Sequence, residues 1–154
     1  MVFERSFDYP LLNSLLTRPS IFPFLGDDFA PEIEDAEVIE DPALWYILAK
    51  LNNTPIGFFL FQPRTPILWE FHTVMPLNAK AMVAMQCLLE NNGWLWKNTK
   101  CQRAETFVPS SNPIALRFGK RAGLKVFGVS PKSYLKEGIL RDRILLGVSR
   151  PEEN

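Results

Sequence analysis

A single histidine, two cysteines and the absence of any long apolar run set the first limits on this chain. One imidazole, His72, cannot build a multi-histidine metal site, and Cys87 and Cys101 lack the spacing of a zinc or redox motif. They fall in a helix pattern and a strand pattern, where small buried thiols are the ordinary reading. The longest apolar stretches, such as Ile56 to Phe61, are far short of the roughly 20 residues a membrane helix needs. Net charge is missing as well. Seventeen basic residues balance seventeen acidic ones, so no overall field draws the molecule to nucleic acid or to an anionic membrane. The opening MVFERSFDYP puts an acid where a signal peptide carries basic and apolar regions, and synthesis in the cytoplasm is expected.

What is present is a core-forming composition. The 154 residues are 47% hydrophobic and 12% aromatic, enough for one domain spanning 1–154. No repeat or low-complexity linker interrupts them, and thirteen prolines punctuate the chain instead. Leu11, Leu12, Leu15 and Leu16 form the stripe of a short amphipathic helix that stops at Pro19. Eight acids lie between Asp27 and Asp41, a pattern that predicts a solvated loop with a turn or two of helix.

Strand patterns follow. ALWYILAKL and IGFFLFQP, separated by NNTP, predict a hairpin, and RTP turns the chain into a third strand, ILWEFHTVM. Apolar spacing from Leu77 to Trp96 predicts a helix broken near Asn92-Gly93. QRAETFVP returns to strand. In SNPIALRFGKRAGL, Asn112 suits an N-cap, Pro113 the first helical position and Gly123 the left-handed residue past the end. Two more strands, LKVFGVSP and ILRDRILLGVS, are joined by the polar KSYLKEG.

Alternation in ILWEFHTVM places Glu70 and His72 on one face with Leu68 and Val74. A carboxylate beside an imidazole suits removal of a proton from an ammonium, and it equally suits a polar pair facing solvent. The four tryptophans read as core or as a binding surface. Arg117, Lys120, Arg121 and Lys125 read as a solvated helix face or as a phosphate contact.

This order of elements, with SNPIALRFGKRAGL in that place, resembles the GNAT superfamily of acyl-CoA N-acyltransferases from about Tyr9 to Val148. The family pattern N-x-x-A-x-x-(L/F)-Y-x-x-x-G-F is matched in position by Asn112, Ala115, Phe118, Gly123 and Leu124. The resemblance implies an α+β, three-layer fold with a mixed, mostly antiparallel sheet of about six to seven strands and helices on both faces. It implies that the sheet parts where Thr73 to Pro76 leaves the strand Cys101 to Pro109. It implies acetyl-CoA as cofactor and no metal. Its contacts would come from Val74, Met75, Lys80, Met82, Val83, Ala84, Asn112, Ala115 and Phe118, with Glu70 and His72 beside the acetyl group.

Two departures weaken that implication. Gly119 stands where the family carries the tyrosine that protonates the leaving thiolate. In the pyrophosphate pattern (Q/R)-x-x-G-x-(G/A), counted from Pro76, the positions hold Ala79, Met82 and Ala84, and Ala84 alone fits. Acetyl-CoA is therefore expected to bind weakly, and Met82→Gly to strengthen it by admitting backbone amides.

NGWLWKNTKCQRAETFV, SSNPIALRFGKRAGLKVFG and SYLKEGILRDRILLGVSR, with Gly138, Asp142 and Gly147 in the last, further resemble small GNAT-like head-assembly and internal virion proteins of tailed bacteriophages. That resemblance implies a virion or head-assembly component with a degraded acyl-CoA site. Its partners would be phage structural or assembly proteins, and its location the host cytoplasm during synthesis and then the virion. Homo-oligomerisation stays open, and nucleic acid is not indicated. The alternative is an acetyl-CoA-dependent N-acetyltransferase acting on an amine of a small molecule or protein.

Overall fold

The computed structural model describes residues 1–153. In chain order the elements are β1 (Val2–Ser6), α1 (Tyr9–Leu16), β2 (Trp45–Leu51), β3 (Thr54–Pro63) and β4 (Leu68–Val74). There follow α2 (Ala79–Leu89), α3 (Trp94–Asn98), β5 (Arg103–Pro109), α4 (Pro113–Arg121), β6 (Lys125–Lys136) and β7 (Ile139–Ser149). Two short 3-10 turns, Phe22–Phe24 and Ile33–Asp35, lie in the acidic connection between α1 and β2. The seven strands make one sheet in the order β1-β2-β3-β4-β5-β7-β6. Every neighbouring pair is antiparallel except β4 with β5.

The β2-β3 hairpin turns on Asn52 and Asn53, with φ of 50° and 65°. Asparagine tolerates this left-handed backbone better than most residues, and two such residues form the tight turn whose twist matches the strands. The β6-β7 hairpin uses Glu137 and Gly138 in the same way, with φ of 54° and 72°. Much of KSYLKEG, expected as a connector, therefore belongs to β6.

Strands β2 to β4 are buried on both faces, which is why they read as nearly continuous apolar runs. On one face Ile47, Phe59, Phe61, Trp69 and Phe71 pack with Ala84, Leu88, Leu95 and Phe118 of α2, α3 and α4. On the other, Tyr46, Leu48, Phe58 and Val74 pack with Leu12 and Leu15 of α1 and with Ile21 and Val38. Trp69 and Trp96 are core residues. The Trp96 indole donates to Leu89 O at 3.0 Å, and Cys101 is fully buried.

Beyond β4 the α1 face is covered by the acidic connection. Asp28 N donates to Leu135 O at 2.9 Å, and the Asp28 carboxylate accepts the Glu137 and Gly138 N–H groups at 2.8 Å each. These two bonds hold the carboxyl below its ordinary range. One acid of the run is thus a fastener for the β6-β7 turn.

The position of the site is set by where the sheet stops being a sheet. The parallel β4-β5 ladder has three rungs, Leu68↔Arg103, Trp69↔Ala104 and Glu70↔Glu105. β4 runs on to Val74 against β3, and β5 runs on to Pro109 against β7. The strands are apart from Phe71 onward, earlier than the expected Thr73, because each keeps its outer partner while the pair diverges. Gly57 of β3 permits the close approach on the β4 side: a Cβ there would stand 2.4 Å from Met75 Cβ and 2.5 Å from Val74 O.

Candidate functional site

The parting of β4 and β5 opens a cavity of about 890 Å³. His72 and Thr73 of β4 and Met75 just past it line one side, Thr106 and Phe107 of β5 another, and the N-cap Asn112 with Ala115, Phe118 and Gly119 of α4 a third. Its far wall carries Tyr134, Lys136, Glu137 and Arg141 of the β6-β7 hairpin. A second groove, of about 660 Å³, runs between the start of α2 and α4 past Asn78, Ala79, Met82, Arg117 and Arg121. Leu77, Ile114 and Phe118 line both spaces. The two spaces adjoin at these apolar side chains, with the basic surface groove on one side and the space lined by His72 on the other.

Helical periodicity explains the groove wall. Ile114, Arg117, Phe118 and Arg121 fall at i, i+3, i+4 and i+7, a single stripe of α4. Asn112 Oδ1 accepts the Ala115 N–H at 3.1 Å, so this residue is the N-cap. Its side-chain amide retains two N–H donors.

At the other wall, Asn78 caps α2 by accepting the Ala81 N–H at 3.1 Å on its side chain. The Met82 N–H is already bonded to Asn78 O at 3.1 Å. Position 82 is thus inside the helix, and the first-turn donors that remain for a ligand lie at Ala79 and Lys80.

On the α1 face of β4, Glu70 Oε1 lies 3.1 Å from His72 Nε2. Glu70 Oε2 accepts from Arg64 Nε at 3.2 Å and from its terminal nitrogen at 2.8 Å. The hydrogen bond from His72 pulls the Glu70 carboxyl down, burial opposes, and the bond from Arg64 adds to the lowering; the result is about 2. His72 reaches the cavity wall, whereas Glu70 stands behind it, anchored on Arg64. The imidazole also meets the edge of Phe107, 5.7 Å between centroids, and Phe107 in turn meets Tyr134 at 5.9 Å.

Of the residues singled out from sequence, His72, Met75, Asn112, Ala115 and Phe118 meet in the cavity, and Met82 lies in the groove. Lys80 is exposed in the first turn of α2. Val74, Val83 and Ala84 are not brought to either space. Val74 faces α1 in the second core, Ala84 is fully buried in the first, and Val83 is 47% exposed on the outer face of α2. Sequence reasoning missed the far wall: Tyr134 and Lys136 because KSYLKEG read as a linker, and Arg141 because a cation in a strand pattern gives no sign of what it faces. The Tyr134 hydroxyl donates to Gly26 O at 2.5 Å, and burial pushes the phenol up.

No protein-family model matches the chain, and no curated protein matches it by sequence. Solved structures do match its shape. A spermidine N-acetyltransferase SpeG chimera from Vibrio cholerae and hSSAT superposes with a TM-score of 0.73 at 13% identity, covering 96% of this chain and 94% of that one. Aminoglycoside 6'-acetyltransferase type Ii gives 0.66 at 17% identity, with 100% of both chains covered. Ribosomal-protein-alanine N-acetyltransferase from Brucella melitensis gives 0.64 at 11% identity, covering 97% and 99%. The fold is the GNAT fold. Gly119 stands at the cavity wall, and a Cβ there would meet Leu124 Cδ1 at 3.4 Å and Leu146 Cδ2 at 3.6 Å. Among the described residues no cluster of metal-ligating side chains occurs, and no helix is long and apolar enough to cross a membrane.

Proposed function

We propose that the protein is an acetyl-CoA-dependent N-acyltransferase acting on an amine. The observation that carries this reading is the succession of adjoining surfaces, from Arg117 and Arg121, past Leu77, Ile114 and Phe118, to the space between the parted strands that His72 lines. An elongated ligand with an anionic end, an apolar arm and a reactive tip matches that sequence of surfaces.

The residues present fit acetyl-CoA. Arg117, Arg121 and the first-turn amides of α2 would hold its phosphates, since a helix start gathers unpaired N–H groups and a favourable dipole. Beyond Glu70 the edge of β4 has no strand partner, so its backbone groups are free to bond the amides of the arm. Asn112 would add its side-chain N–H donors where α4 meets the cavity. Bound acetyl-CoA supplies the activated acyl group.

His72 takes the proton from the acceptor ammonium. With Nε2–H donating to Glu70, the lone pair sits on Nδ1, and the Arg64-anchored carboxylate stabilises the imidazolium that forms. Glu70 is thus a positioning residue. Gly119 has no proton to give, so protonation of a leaving thiolate would fall to solvent.

Calorimetric titration with acetyl-CoA, followed by thiol release in the presence of an amine panel, tests the reading. Saturable binding and acceptor-dependent release support it. Absence of binding at millimolar acetyl-CoA overturns it.

A second reading keeps the scaffold without the chemistry, as a phage virion or head-assembly component. Gly119 favours it, because a glycine has no proton to give. Mass spectrometry of purified particles that contain the protein, together with no acetyl-CoA binding, would support that reading over the first.

A further inference from the structure

Among the described residues, Arg141 is the one cation lining the larger cavity for which no hydrogen bond or ion pair within the chain is found. It lies on β7 directly opposite Tyr134 of β6, so its side chain leaves the sheet on the face that carries Phe107 and His72. Its Nε is buried and has no hydrogen-bond partner, and it forms no salt bridge among the described residues. Leaving a charged donor in this state is unfavourable, and native structures rarely keep one without a reason.

The surrounding groups are already engaged. Arg143, two residues along, donates from Nε to Ser133 Oγ at 2.9 Å and covers the Phe107 ring at 5.0 Å. Lys136 Nζ donates to Gly26 O at 3.1 Å. Asp28 is occupied by the turn amides, and Asp142 Oδ1 by the Lys132 N–H at 2.9 Å. Glu137 lines the same cavity but lies outside ion-pair distance of Arg141. The far wall therefore offers a planar donor fork with no anion, while ring contacts of 5.7 and 5.9 Å link His72 to Tyr134 beside it.

We propose that Arg141 binds an anionic oxygen group of the acceptor, so that the substrates are amines carrying a carboxylate or phosphate several bonds from the nitrogen. The guanidinium matches either group through two parallel N–H bonds. The anion held at Arg141 points the amine along the aromatic ladder toward His72. The inference rests on the acyl-transfer reading for the role of the amine, but anion capture needs no thioester and can be measured without it.

The experiment follows the Arg141 Nε–H resonance by nitrogen-15 NMR while 4-aminobutyrate, O-phosphoethanolamine or 1,4-diaminobutane is titrated into the full chain. A saturable shift with either amino acid-like probe and none with the diamine is expected; the stronger of the two anionic probes names the group. Calorimetry should show at least a tenfold loss of affinity for that probe in Arg141→Gln, with partial retention in Arg141→Lys. An unmoved resonance, or an equal response to the diamine, overturns the inference. Absence of acetyl-CoA binding, measured separately, overturns the acyl-transfer reading instead, and the arginine titration still decides whether an anion is captured.

Discussion

His72 Nε2 and Glu70 Oε1 lie 3.1 Å apart on one face of β4, and Arg64 grips the other oxygen of the same carboxylate at 2.8 Å. The three side chains form a hydrogen-bonded relay running from solvent to the cavity wall. Its outer members fix the inner one, since a doubly held carboxylate gives the imidazole one preferred orientation.

Replacing His72 by glutamine should lower kcat for amine acetylation by about 10²–10⁴, the usual range for a general base. Glu70→Gln should cost less, because it loosens the imidazole without removing it. Steady-state kinetics on both variants, with acetyl-CoA affinity measured alongside, checks the order of the two effects.

Glu70 also leaves a signature in acid. Its carboxyl is lowered from 4.5 to about 2 in the folded protein, so its contribution to stability is complete above about 4.5 and is lost as pH falls toward about 2. Urea unfolding at a series of pH values should show a loss over this window. In Glu70→Gln that part of the pH dependence should vanish.

Gly57→Ala should destabilise the fold by about 1–3 kcal/mol, as expected where a side chain forces a backbone to move. The new Cβ would collide with Met75 Cβ and Val74 O at the inner end of β4. A lowered urea midpoint with an unchanged slope is the expected result.

Met82→Gly should not improve acetyl-CoA binding. The Met82 N–H is committed to Asn78 O, and glycine within a helix costs about 1 kcal/mol relative to alanine. Arg117→Ala combined with Arg121→Ala should weaken binding at least tenfold and reduce its salt sensitivity, which calorimetry at two ionic strengths would reveal.

Much of the architecture is legible in the sequence because its signals are local. Asn52-Asn53, Pro76, Asn112-Pro113 and the apolar runs of β2 to β4 each act on their own neighbourhood, and the elements they mark are found where the residues put them. β1 was not anticipated: VFERS is short and carries Glu4 and Arg5, which resemble surface chain until the register Glu4↔Leu48 supplies a partner. The end of β6 was lost for a related reason, since Lys132, Tyr134 and Lys136 look like a linker unless Asp28, more than a hundred residues away, is known to clasp the turn. Within the site, His72 and Asn112 could be found from type and spacing. Arg141 could not, because its significance is the absence of a partner, and that is a property of the assembled chain.

The three rungs between β4 and β5 have a mechanical consequence. They join two antiparallel blocks, β1 to β4 on one side and β5, β7 and β6 on the other, so the seam is the narrowest hydrogen-bonded part of the sheet. A ligand lying in the gap would supply the missing rungs and act as a temporary eighth strand. Rigidity would then be a property of the loaded protein: those amide hydrogens of β4 past Glu70 that face the gap, and not the ones bonded to β3, should exchange slowly only while the gap is filled, and the two blocks should flex about Glu70 and Glu105 when it is empty.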